Sequence, residues 1–235
     1  MTRFEYSSEV TDRFPAIRAA VLHVSGAANG PTRGALSEAF SKEQAATLDR
    51  IGTIPLSEIA GLAAWRRAFT SFGVKPTQYR SSAEALLRRL TKHGSIPSIN
   101  LLVDLGNLLA IRFGQPVAVF DQAPVSGVTT VRFARGGERF TDIATGERSD
   151  PVPGEVVFVD DARLVSARRW CWRQSAESGA GPDTTEVLVT IEALHEHAAA
   201  TTAAALEDAL ALLAVHQPQA EVAAALLSAE SPSFG

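Results

Sequence analysis

With 235 residues, 46% of them hydrophobic and 20% charged, the chain is long enough to bury a substantial core and has the composition of an ordinary globular protein. Its single cysteine, Cys171, excludes an intrachain disulfide and a cysteine-based zinc site. The net charge of −4 argues against a nucleic-acid partner only until its distribution is read: no Lys or Arg follows Arg173, and the nine acids beyond it leave 22 cations against 17 acids in the preceding stretch. The first residues, Met1-Thr2-Arg3-Phe4-Glu5-Tyr6, carry no basic lead followed by an apolar run. Only the alanine-rich tail approaches membrane-spanning length, and Glu207 and Asp208 interrupt it. The expectation is a cytoplasmic protein without a membrane partner.

In chain order, two short strands are predicted around Arg3 to Val10 and Ala16 to Val24, separated by the Phe14-Pro15 turn. Ser41 to Arg50 reads as a helix. The apolar spacing of Leu56, Ile59, Leu62, Ala63, Trp65 and Phe69 after Pro55 reads as another, with Trp65 in the core. Ser81 and Glu84 have capping-box spacing, so a helix should run from there to about Lys92 and stop at Gly94. From Arg66 to Lys92, the cations Arg66, Arg67, Lys75, Arg80, Arg88, Arg89 and Lys92 meet Glu84 as the lone acid. That stretch is either a phosphate-facing patch or a solvated helix surface.

A further helix is predicted from near Ser98. It is apolar almost all round, except for a line formed by Asn100, Asp104 and Asn107 at i, i+4 and i+7. Buried polar groups need partners, so the line either stitches loop backbone or faces a ligand cleft. From Pro116 onward the period becomes that of strands: Val117 to Phe120, Val128 to Phe133, Glu155 to Val159, Arg163 to Trp172 and Val187 to Ile191, divided by Gly-rich turns. Ala198 to Val215 and Ala220 to Leu227 are predicted as C-terminal helices. The whole chain, 1–235, reads as one α+β domain with a largely antiparallel sheet region and helices packed outside.

The densest chemistry lies in Arg168-Arg169-Trp170-Cys171-Trp172-Arg173-Gln174-Ser175. As a continuous strand it would set Trp170, Trp172 and Gln174 on one face and Arg169, Cys171 and Arg173 on the other. An aromatic face ending in an amide suits a nucleobase or another flat ring, and a guanidinium row suits phosphate or carboxylate. Core tryptophans with solvated arginine rims are the structural alternative. The five histidines lack helical zinc-site spacing, and neither a phosphate-binding lysine loop nor a dinucleotide fingerprint is present. No metal and no cofactor is expected. No serine has the flanking glycines of a nucleophile elbow, so water is the expected nucleophile of any hydrolysis.

Five blocks in order resemble the B3/B4 domain. They are Tyr79 to Leu90, Ile96 to Asp104, Val117 to Asp121, Pro153 to Asp160 and Arg169 to Ser175, within a match of about 70–195. That domain forms the editing module of the bacterial phenylalanyl-tRNA synthetase β subunit and also occurs in free-standing proteins, which this chain resembles more. The resemblance implies a layered sheet, sheet and helix architecture and a cleft that, in the synthetase, hydrolyses tyrosine mistakenly esterified to tRNA. The implied reading is a tRNA-binding, editing-type hydrolase that deacylates mischarged aminoacyl-tRNA in trans, with the amino-acid moiety in the cleft and DNA not expected as a partner. The alternative is a non-catalytic module that binds an RNA end or an amino acid. On the first reading, Asp104 orients an ammonium or a water, while Asn100 and Asn107 donate to carbonyl oxygen. Arg80, Ser81, Ser82 and Arg173 hold carboxyl or phosphate oxygens, Trp172 stacks and Gln174 reads an edge.

Overall fold

The computed structural model describes residues 3–235. Among the described residues, ten strands form two sheets. A six-stranded sheet has the order β10-β1-β4-β5-β6-β7 and consists of β1 (Arg3–Tyr6), β4 (Val128–Phe133), β5 (Val156–Val159), β6 (Val165–Arg168), β7 (Arg173–Gln174) and β10 (Ser233–Phe234). A four-stranded sheet has the order β3-β8-β2-β9 and consists of β2 (Arg18–Ser25), β3 (Val117–Asp121), β8 (Glu186–Ala193) and β9 (Glu221–Ser228). Among the described residues, these strands pair antiparallel throughout, except β1 with β4.

The alternation of side chains across β2 and β8 explains the layering. Ala20, Leu22, Val24, Val187, Val189 and Ile191 point to one face and pack under the helices. Ala19, Val21 and Leu188 point to the other and meet Phe4, Val131, Val156 and Phe158 of the six-stranded sheet. The four-stranded sheet is therefore the middle layer, with β2 and β8 covered on both faces, and β8 reads as a nearly unbroken apolar run because it has no wet side. This is an α+β fold of sheet, sheet and helices.

The helix layer consists of α2 (Gly34–Ile51), α4 (Ser82–His93), α5 (Leu101–Phe113) and α6 (Ala198–His216). Two smaller helices, α1 (Ser8–Arg13) and α3 (Ala60–Ser71), join the second core through Val10, Trp65 and Phe69. Ser81 caps α4 by accepting from the Glu84 N–H at 3.3 Å, and Gly94 ends it in the left-handed conformation at φ 76°. Asn100 caps α5 in the same way, accepting from Val103 N–H at 3.0 Å. Gly106 lets α5 sit close on β3, since a Cβ there would lie 2.9 Å from Val119 Cγ2.

Several predicted elements differ from those observed, and the helix read over Leu56 to Phe69 is a 3-10 turn, Leu56–Glu58, followed by α3. The first strand stops at Tyr6, because residues 8–13 form α1. The helix predicted over Ser41 to Arg50 begins seven residues earlier, at Gly34. Ala220 to Leu227, predicted as a helix from its Ala and Leu content, is strand β9, paired along its full length with β2. Helix propensity here amounts to tenths of a kcal/mol per residue and gives way to an eight-residue backbone ladder. By length and composition α6 could cross a membrane, with mean hydropathy 1.5. In the fold it lies on the middle sheet, with Ala198, Thr202, Ala205, Ala209 and Leu213 buried at helical spacing.

Candidate functional site

The tryptophan segment is a hairpin rather than the predicted strand. Arg169 and Trp170 both adopt left-handed backbone, at φ 46° and 61°, between β6 and β7. For non-glycine residues that conformation costs about 1 kcal/mol each, and such strain collects at clefts and switches. The reversal separates the two tryptophans. Trp170 is fully buried, with its ring 5.0 Å from Trp65 and 4.9 Å from Phe14 in edge-to-face contacts. Trp172 is half-buried and meets Tyr79 edge-on at 5.0 Å. Three guanidinium groups surround it, Arg169 at 4.7 Å, Arg173 at 4.9 Å and Arg168 at 6.0 Å from its centroid.

A cleft of about 60 Å³ opens beside this hairpin. Ser82, Trp170, Cys171, Trp172, Arg173 and Gln174 form one side, and Val117, Ala118, Phe120 and Phe158 line the gap between the sheets. The Ser82 N–H donates to the Cys171 carbonyl at 2.8 Å, which fixes the start of α4 against the hairpin.

The residue on this cleft that sequence reasoning missed is Glu192. It is 2% exposed, sits on the inter-sheet face of β8, and accepts from Tyr6 Oη at 2.6 Å and Trp170 Nε1 at 2.9 Å, both on Oε1. Burial pushes its carboxyl up to about 7, although both hydrogen bonds favour the charged form. Burial also raises the Tyr6 hydroxyl and the Cys171 thiol well above their usual values, so both stay protonated at neutral pH. Thr190, two residues earlier on the same face, is 1% exposed and its hydroxyl has no hydrogen-bond partner among the described residues. A carboxylate at the end of an apolar run (Val187 to Ile191) was the available signal for Glu192, because a strand buried on both faces does not carry a charge without reason.

The other predicted residues fall into three settings. Asn100, Asp104 and Asn107 lie on or at the cap of α5, across the middle sheet from the cleft, and so do not converge on Trp172. Asp104 is fully buried, accepting from Thr32 Oγ1 at 2.6 Å, from the Ile99 N–H at 3.0 Å and from Ser98 Oγ. Asn100 donates to the Ala180 carbonyl at 2.8 Å in addition to its capping bond. These bonds are loop stitching. Asp104→Ala should strand three donors and cost roughly 1–3 kcal/mol in a chemical-denaturation measurement, with ligand binding at the cleft retained.

Gln174 and Arg173 reach the cleft but are already engaged. Gln174 Nε2 donates to the carbonyls of Val119 and Ser178 at 2.8 and 2.7 Å, and Arg173 pairs with Asp142 at 3.2 Å. Of the basic stretch, Arg66, Arg88 and Arg80 converge on Glu84, at 2.7, 2.9 and 3.8 Å. Glu84 is 1% exposed, so the acid that looked like an exception is the anchor of the patch. Its carboxylate takes arginines instead of completing the capping box. Arg80 Nε has no hydrogen-bond partner among the described residues, and Arg67, Lys75, Arg89 and Lys92 are exposed. Three guanidinium groups on one carboxylate leave an excess of positive charge within a turn of Ser82, beside the cleft.

A family model described as the B3/4 domain matches residues 64–213, which include most of α3 and α6, all of α4 and α5, and both walls of the cleft. The chain belongs to the B3/4 domain family. Among curated relatives of this B3/4 protein, the phenylalanine–tRNA ligase beta subunit of Nocardia farcinica is 38% identical over 104 residues, covering 44% of this chain and 12% of the relative. The subunit from Rhodopseudomonas palustris is 35% identical over 116 residues, covering 49% of this chain and 14% of the relative. The B3/4 chain thus spans only a small part of these relatives. An N-terminal fragment of the phenylalanyl-tRNA synthetase beta-subunit from Pyrococcus horikoshii is similar at a TM-score of 0.42 and 14% identity, covering 52% of this chain and 40% of that one.

Proposed function

We propose that this B3/4 protein binds the aminoacylated end of a tRNA in the Trp172 cleft and hydrolyses the ester in trans. The observation that carries the reading is Glu192, a buried carboxyl whose pKa lies near 7 on the wall of a cleft. A group that titrates near the working pH is suited to take a proton from water and return it. In the step proposed, water attacks the ester carbonyl, its proton passes to Glu192, and Glu192 protonates the departing ribose oxygen, releasing amino acid and free tRNA. The ester is already activated, so a positioned water suffices without a covalent nucleophile. Trp172 offers its ring to adenine or to the amino-acid side chain, and the cations gathered around Glu84 beside the cleft suit the phosphates of an acceptor end. Asp104, Asn100 and Asn107 take no part in this reading.

Family membership supports a tRNA-related role, since the curated relatives are tRNA ligase subunits. The second reading is a binding module on the same cleft, and it draws on one observation: Glu192 Oε1 is already satisfied by Tyr6 and Trp170. A panel of correctly charged and mischarged tRNAs separates the two. Selective release of one amino acid is expected, at a rate that scales with protein concentration. Binding of the tRNA or amino acid with no release from any member of the panel would establish the binding module instead.

A further inference from the structure

Strand β9 ends the four-stranded sheet, and its outer edge pairs with no other strand among the described residues. Edge strands usually carry protection: a lysine, a proline, a bulge or a covering helix. β9 has none of these. Its sequence, Glu221-Val222-Ala223-Ala224-Ala225-Leu226-Leu227-Ser228, holds one charge at its very start, and its register with β2 is unbroken over eight residues. The pairing of Val24, Leu22 and Ala20 with Val222, Ala224 and Leu226 puts those three on the helix side of the sheet. There α6 covers β2 and β8 but leaves the row open, with Val222 36% and Leu226 48% exposed. One location therefore has both unpaired backbone and an uncovered apolar face.

We infer that β9 is the interface for a second copy of this chain, with the two β9 strands pairing antiparallel to make one eight-stranded sheet. The occupant follows from symmetry and charge. A two-fold axis perpendicular to the sheet must pair residues that point to the same side. Centred on Ala224, it sets Val222 opposite Leu226 of the second copy and Ala224 opposite itself. The exposed rows of both copies then become continuous and cover one another between the two α6 helices. The same register places Glu221 opposite Leu227, with the two Glu221 side chains about 20 Å apart along the strands, beyond the Debye length of about 8 Å at physiological salt. No like charges meet, although the segment from residue 174 onward is uniformly acidic. A partner chosen for opposite charge would find no charge to read near the centre of this strand.

Sedimentation velocity on the full chain tests this. A two-chain mass is expected, falling to one chain on dilution. Leu226→Lys should give a one-chain mass at the same concentration, with unchanged circular dichroism and the melting temperature of the diluted native chain. Ala224→Cys supplies an independent readout, because directly opposed antiparallel residues lie within disulfide range. Mild oxidation should link two chains covalently at this position. The native chain, whose lone Cys171 lies in the hairpin beside the cleft and not on β9, should stay unlinked. A one-chain mass for the native protein at every concentration, together with no cross-link in Ala224→Cys, would overturn the proposal.

Discussion

Replacing Glu192 by glutamine should lower ester hydrolysis by about a hundredfold or more while tRNA affinity changes little, since a general acid/base contributes typically 10²–10⁴-fold. Glutamine keeps the shape and can still accept from Tyr6 and Trp170, so the loss would report proton transfer rather than packing. The pH dependence gives a second readout. The native rate should rise with pH through about 7 as the carboxyl ionises, and that limb should vanish in Glu192→Gln. Stability should run the other way. The folded carboxyl binds its proton more tightly than the unfolded one, whose usual value is 4.5, so the protein loses stability as pH rises from about 4.5 through about 7. The ionised group in its apolar site then costs on the order of 3 kcal/mol. Glu192→Gln should flatten that decline. A variant with native activity and an unchanged pH profile would remove Glu192 from the chemistry.

Trp170→Ala is expected to be the most destabilising single substitution near the cleft, at about 3–5 kcal/mol in equilibrium denaturation. The indole is fully buried, touches Trp65, Phe14 and Phe72, and donates to Glu192, so its removal leaves a cavity and takes one donor from a buried carboxylate. Trp172→Ala is the control two residues away. That ring is half-buried and flanked by cations, so its loss should weaken ligand binding with a much smaller change in stability. Equal destabilisation by the two substitutions would mean that the hairpin does not divide them into core and cleft.

The same division marks the limit of what the residues disclose on their own. Composition, period and punctuation correctly indicated an α+β chain, the α4 helix with its Ser81 cap and Gly94 stop, the apolar α5 helix, and Trp65 as core. The five ordered blocks pointed to the B3/4 family. These features are local, set by 3.6- and 2-residue periods and by caps within one turn of the chain. The role of the Asn100, Asp104 and Asn107 line was not legible, because spacing shows that residues share a helix face and leaves open what lies opposite. Thr32, Ser98 and the Ile99 amide lie opposite Asp104, and an entire sheet separates the line from Trp172.

Sequence by itself determined the alphabet of elements, the charge asymmetry and the family of this protein. Only the tertiary structure decided that Arg169 and Trp170 turn the chain, that Glu84 gathers the arginines, that Ala220 to Leu227 is an edge strand, and that Glu192 titrates near neutrality. The physical reason is common to all four. Backbone ladders, desolvation and ion pairing depend on which distant segments meet, and Glu192 acquires its pKa from burial beside Tyr6 and Trp170, residues 186 and 22 positions away in the chain.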